Sequence, residues 1–162
     1  MEVYIAVCGP DPASAEVAAQ AEETGRLLAR AGAVVVCGGL GGVMEAACRG
    51  AIGEGGTTVG ILPGIDRSVG NEFLSVAIPT GMGEMRNALI VRAADAVIAV
   101  AGEFGTLSEI AFALKTGVPM VGLGTWELSK EGRIVEAFVR AASPTEAVTH
   151  AVRLGRGGRG GS

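Results

Sequence analysis

The chain is predicted to be an α/β protein, a doubly wound parallel sheet with helices on both faces. Two features of the sequence predict this. Short β-branched apolar runs recur along the chain, and each is followed by a longer amphipathic pattern. The runs are apolar at successive positions rather than at alternate ones, as in strands covered on two sides. Strands and helices in alternation build a parallel sheet through right-handed crossovers. In such a Rossmann-like sheet, ligand is expected at the carboxyl ends of the strands.

The elements follow in order. Residues 3–8 read as the first strand. An alanine-rich helix over residues 12–31 places Val17, Ala21, Leu27 and Leu28 on one side. Residues 33–37 are the second strand, 43–54 a helix, 57–62 the third strand, and 75–78 a short strand. Helices at 84–94 and 106–116 flank a strand at 96–100. A strand at 119–123 precedes a predicted helix at 130–142. The last helix, 144–153, has the clearest start: Ser143 as cap, Pro144 at the first helical position, Glu146 three residues after the cap. Residues 1–154 therefore form a single domain, and the glycine–arginine tail 155–162 is expected to be flexible.

Composition narrows the function. With 49% hydrophobic and 19% charged residues, the chain can pack a core. A net charge of −4 argues against duplex nucleic acid as partner. No apolar run approaches a bilayer span, and no leader pattern opens the chain. Cys8, Cys37 and Cys48, an odd count without metal spacing, read as reduced thiols of a cytoplasmic protein. Cys8 and Cys37 both end strands, which makes a redox pair conceivable; small buried hydrophobes are the plainer reading. His150 is the single histidine, so no histidine metal cluster and no cofactor is expected.

Two glycine-rich stretches join a strand to a helix, where backbone N–H groups can face an anion. The first is Gly38-Gly39-Leu40-Gly41-Gly42-Val43-Met44; tight turning and close packing explain it equally well. It is neither a P-loop nor a dinucleotide fingerprint, since no Gly-Lys-Ser/Thr occurs and Met44 stands where a glycine is needed. The second is Ala101-Gly102-Glu103-Phe104-Gly105-Thr106-Leu107-Ser108-Glu109. Thr106 and Glu109 also have the spacing of a capping box, which would give both a structural role. Thr80 and Gly81, ahead of the Arg86 helix, either line a pocket or form a turn.

The order Gly38-Gly39-x-x-Gly42-Val43-Met44, Val59-Gly60-Ile61-Leu62-Pro63, Met85-Arg86-Asn87 and Gly102-x-x-Gly105-Thr106-x-x-Glu109 resembles the Lonely guy (LOG) superfamily. It looks closest to a small prokaryotic branch that also resembles the molybdenum cofactor carrier proteins. The resemblance implies a nucleoside 5′-monophosphate phosphoribohydrolase that releases base and ribose 5-phosphate. The alternative it implies is a non-catalytic carrier of a nucleotide or molybdopterin. Arg86 and Glu109 would be the essential pair. Gly102, Gly105 and Thr106 would hold phosphate, with Gly38, Gly39, Gly41, Gly42, Met44, Thr80, Gly81, Asn87, Glu103 and Phe104 around the ligand. A homo-oligomer is implied as well. A carboxylate suits an oxocarbenium-like transition state, and an arginine can anchor phosphate or polarise a leaving base.

The chain departs from the LOG signature at three positions. Ala101 replaces proline, Glu103 replaces glycine, and Asn87 stands where lysine is common. Two like charges about 4 Å apart repel by ~4 kcal/mol at an effective dielectric of roughly 20. Glu103 therefore either faces away from the phosphate or marks a changed ligand. Lysine decarboxylase, a label given to relatives, is rejected: Lys115 and Lys130 are the only lysines and lie outside both loops.

Overall fold

A computed structural model describes residues 1–158. Its main sheet has seven strands: β1 (Val3–Cys8), β2 (Ala33–Cys37), β3 (Thr58–Leu62), β4 (Val76–Pro79), β5 (Ala96–Val100), β6 (Met120–Leu123) and, at the far edge, β9 (Val139–Ala141). The order is β4-β3-β2-β1-β5-β6-β9, and every pair is parallel. The α/β, doubly wound expectation is met. The strand order reverses between β1 and β5, so a crevice opens beyond the carboxyl ends of these two strands.

The pleat sends alternate residues to opposite faces. Val3, Ile5 and Val7 of β1, with Ile98 and Val100 of β5, pack under α1 (Ala15–Arg30), α2 (Val43–Gly53) and α5 (Pro144–Gly158). Ala6 and Cys8, with Val97 and Ala99, pack under α3 (Asn87–Ala93) and α4 (Phe104–Thr116). Cys8 thus faces the α3/α4 side. Cys37, opposite Val7 in register, faces α2, where its Sγ lies 3.5 Å from that of Cys48. The Cys8–Cys37 pair considered above is therefore replaced by Cys37–Cys48, and all three thiols are free and buried.

Several boundaries move for local reasons. Helix α1 begins at Ala15 rather than Pro12, because Ser14 is extended and its side chain accepts from Val17 N at 3.2 Å. A 3-10 turn, Gly83–Arg86, precedes α3. The helix expected over residues 130–142 is not formed. Its place is taken by a hairpin, β7 (Ser129–Lys130) with β8 (Arg133–Ile134), followed by β9. Glu131 and Gly132 both have positive φ, 52° and 77°, as a two-residue hairpin turn requires. Helix α5 starts as the sequence predicts: Ser143 Oγ accepts from Glu146 N at 3.2 Å, and Glu146 Oε2 accepts from Ala142 N at 2.8 Å. It continues to Gly158, so the first four residues of the expected flexible tail are helical; residues 159–162 lie outside the described residues. Among the described residues no helix is long and apolar enough to cross a membrane.

Candidate functional site

A cleft of about 730 Å³ opens at the β1/β5 switch point. That volume is in the range of small-molecule sites. The β1–α1 loop contributes Cys8, Gly9, Pro10 and Asp11, and the β2–α2 region Gly38, Leu40 and Met44. Glu84, Met85 and Arg86 come from the 3-10 turn before α3 and Asn87 from its first residue; Glu103, Phe104, Gly105, Thr106, Ser108 and Glu109 come from the cap and first turns of α4. Gly9 lets the loop after β1 pack closely against β5 and the start of α2. A Cβ there would lie 2.6 Å from Val100 O and from both Val43 methyl groups.

The start of α4 is the cleft's anion-attracting edge. Leu107 N donates to Glu103 O at 3.0 Å, which makes Glu103 the cap. Helix geometry then leaves the N–H groups of Phe104, Gly105 and Thr106 without an intrahelical acceptor. No side chain caps this end. The capping-box reading of Thr106 and Glu109 therefore fails. The cap is Glu103, three residues before Thr106, and both side chains are buried within the helix. Ala101 has φ of 51°, a conformation closed to proline, whose ring fixes φ near about −65°. The Pro-to-Ala departure thus goes with a left-handed turn at this position.

Glu109 is 8% exposed. Burial pushes its pKa up to about 7, against the opposing pull of the Cys8 thiol hydrogen bond and the Arg86 charge. Cys8 itself stays a neutral thiol: burial, then the Glu109 charge, push it well above the usual range.

Arg86 is 7% exposed. Its Nε donates to Ile61 O at 2.8 Å and its Nη2 to Gly38 O at 3.3 Å. Its Nη1 donates to Asn87 Oδ1. Three of the five N–H donors of a guanidinium are thus engaged within the protein. Burial lowers the Arg86 pKa, offset by the Glu109 charge. Asn87 passes the connection on: its Nδ2 donates to Ser108 Oγ at 3.1 Å, and Ser108 Oγ donates to Gly105 O at 2.6 Å. Asn87 thus ties α3 to α4.

The glycine loop before α2 is built differently. Asp11 Oδ2 accepts from Gly41 N at 3.2 Å, and Pro10 O accepts from Val43 N at 3.0 Å. Asn71 Nδ2 donates to Leu40 O at 3.0 Å and Asn71 N to Gly39 O at 2.9 Å. A Cβ at Gly38 would lie 2.8 Å from both Arg86 Nη2 and Met44 Sδ. Gly38 and Met44 reach the cleft; Gly39, Gly41 and Gly42 are outside its lining. Gly102 is outside it too, and so are Thr80 and Gly81. Thr80 Oγ1 donates to Leu62 O, at the end of β3, at 2.7 Å and accepts from Met82 N at 3.2 Å, which makes this segment a turn at the end of β4.

Sequence reasoning did not single out Cys8, Asp11, Glu84, Met85 or Ser108 as site residues. Only Asp11, next to a glycine turn at the end of a strand, carried a local signal. Glu103 is exposed and lines the cleft; among the described residues its carboxylate makes no ion pair. The lining thus holds the carboxyl groups of Asp11, Glu84, Glu103 and Glu109 against the guanidinium of Arg86. Among the described residues, no three His, Cys, Asp or Glu side chains form a metal-ligating group.

A family model described as the SLOG cluster4 family matches residues 2–150. The chain belongs to this family. The resemblance drawn from the four motifs is borne out. By sequence the chain is similar to an uncharacterized protein of Archaeoglobus fulgidus, 40% identical over 93% of this chain and 95% of the relative. In structure the chain is similar to the molybdenum cofactor binding protein of Rippkaea orientalis, with a TM-score of 0.86 and 32% identity over 95% of this chain and 98% of the other. It is also similar to the molybdenum cofactor carrier protein of Chlamydomonas reinhardtii, with a TM-score of 0.83 and 29% identity over the same shares.

Proposed function

We propose that the cleft binds a phosphorylated pterin of the molybdenum cofactor type and releases it unchanged, with a nucleotide as the second ligand class it would accept. The whole-length likeness to the Rippkaea molybdenum cofactor binding protein carries this reading. Helix α4 supplies a place for the phosphate in the N–H groups of Phe104, Gly105 and Thr106. Glu109, with its pKa at about 7, can accept a hydrogen bond from a ring amino group or donate one to a ring carbonyl. The single guanidinium is held by backbone carbonyls, and carboxyl groups surround it. A phosphate would then be held mostly by backbone N–H groups, which suits release.

The phosphoribohydrolase reading has one observation in its favour: a buried carboxyl with a pKa near working pH can serve in acid–base chemistry. Against it stand the engagement of Arg86 and the unpaired Glu103 at the anion edge. A homo-oligomer in the cytoplasm, without duplex nucleic acid, completes the proposal. The exposed Val76 and Ile78 on edge strand β4 support assembly.

The test is to express the full chain in a host that makes molybdenum cofactor and quantify pterin fluorescence and molybdenum per protomer. Co-purified pterin, with no adenine released from AMP, is expected. A pterin-free protein that releases adenine, and loses this activity in Glu109→Gln, would reverse the order of the two readings.

A further inference from the structure

Phe104 is a large apolar side chain that the fold leaves 76% exposed, at the mouth of the cleft. It is not part of a continuous apolar face, since Glu103, Gly105 and Ser108 around it are exposed and polar or lack a side chain. A lone exposed aromatic needs no explanation by itself. This one has a built support. Its ring lies 5.7 Å, centroid to centroid, from that of Trp126, tilted by 38°. Trp126 is fixed in turn. Its Nε1 donates to Glu103 O at 3.2 Å, and Arg140 Nη2 donates to Trp126 O at 3.1 Å. Gly102 allows the indole to approach, since a Cβ there would lie 3.0 Å from its Cδ1 and Nε1. Trp126 thus braces the α4 cap and the Phe104 ring together. Met85, 75% exposed, lines the same cleft from the α3 side.

We propose that Phe104, braced by Trp126, is a stacking platform for the planar heteroaromatic ring of the ligand, with the Met85 thioether as the facing apolar surface. The inference rests on the reading of the cleft as a ligand site and assigns its ring specificity to this pair. Aromatic faces accept any planar ring, so the platform selects ring-bearing phosphates over sugar phosphates without choosing between a purine and a pterin. Thioether–aromatic contact adds adaptability on the other side.

Trp126 is the only tryptophan in the chain, so its fluorescence reports on this platform directly. The test titrates the full chain with AMP, neopterin phosphate and ribose 5-phosphate, reading Trp126 emission and heat of binding. AMP and neopterin phosphate are expected to quench Trp126, whereas ribose 5-phosphate binds without quenching. Phe104→Ala should weaken the two ring-bearing ligands on the order of tenfold and leave ribose 5-phosphate unchanged. Phe104→Tyr should restore them. Phe104→Leu, which keeps apolar bulk without a π face, should not. Equal loss for all three ligands overturns the platform, as does no loss for any. Dissociation of an oligomer by Phe104→Ala at unchanged ring affinity also overturns it, and makes Phe104 a contact between copies. Failure of all three ligands to bind the wild type overturns the ligand-site reading and the platform with it.

Discussion

The chain contains two glycine-rich strand–turn–helix joints, and the fold uses them in opposite ways. At the start of α2, the loop is filled from within. Asp11 takes the Gly41 N–H, Pro10 takes that of Val43, and Arg86 rests where a Gly38 side chain would be. At the start of α4, no side chain occupies the helix end, and Gly105 has open space where a Cβ would be. A glycine-rich turn before a helix is therefore not a ligand site by itself. What matters is whether the protein already supplies the acceptor. Arg86 and Asn87 couple the two joints, one holding Gly38 O and the other reaching Ser108 at the start of α4.

The comparison can be broken most forcefully at Arg86. Arg86→Ala removes the donors to Ile61 O and Gly38 O and leaves both buried carbonyls without them. The expected loss is about 3 kcal/mol, read as a lowered urea midpoint. An unchanged midpoint would mean that Arg86 is free for ligand instead.

Glu109 gives an effect of similar size, with a pH signature. Its folded pKa of about 7 lies above the usual carboxylate value, so the folded state retains the proton longer than the unfolded state. Stability should fall as pH rises from about 4.5 to about 7, by roughly 3 kcal/mol from this group, and then level off. Glu109→Gln removes that slope and is more stable than wild type at pH 8. Urea midpoints at pH 5 and pH 8 measure both.

Glycine substitutions separate the joints directly. Gly42 has φ of 61°, and a Cβ there would lie 2.2 Å from Pro10 O. Gly42→Ala should cost about 2 kcal/mol or more. Gly105→Ala meets nothing within 4 Å, and should be neutral or gain about 0.5 kcal/mol from helix propensity while weakening anion binding. Equal melting temperatures for the two variants would erase the distinction. A modest gain is expected at Ala101, where glycine relieves the left-handed backbone. Ala101→Gly should raise stability by about 1 kcal/mol in thermal melts.

Most of the sheet was legible because strands buried on both faces leave unbroken β-branched runs. The bounds of β1, β2 and β5 follow those runs to the residue. The hairpin at 129–134 was missed because Glu131-Gly132 sits within a stretch with helix-like apolar spacing. Only the positive φ of both residues shows the turn. At the site, the motif residues on α3 and α4 were legible, since helix spacing keeps them together. Cys8 was not: in a strand it reads as one more small apolar residue, and its meeting with Glu109 depends on β1 lying beside β5. The Asp11–Gly41 and Asn87–Ser108 bonds join separate elements, so no local spacing announces them.

A carrier role requires that the open joint before α4 hold a phosphorylated ring without cleaving it. The decisive measurement is the melting temperature of the full chain against rising neopterin phosphate, with neopterin as control and the ligand recovered at the end. A saturable rise that requires the phosphate, with the ligand recovered intact, is the predicted result, because a ligand of the native state must stabilise it. No rise, or an equal rise with neopterin, would contradict the assignment of the α4 N–H groups to phosphate.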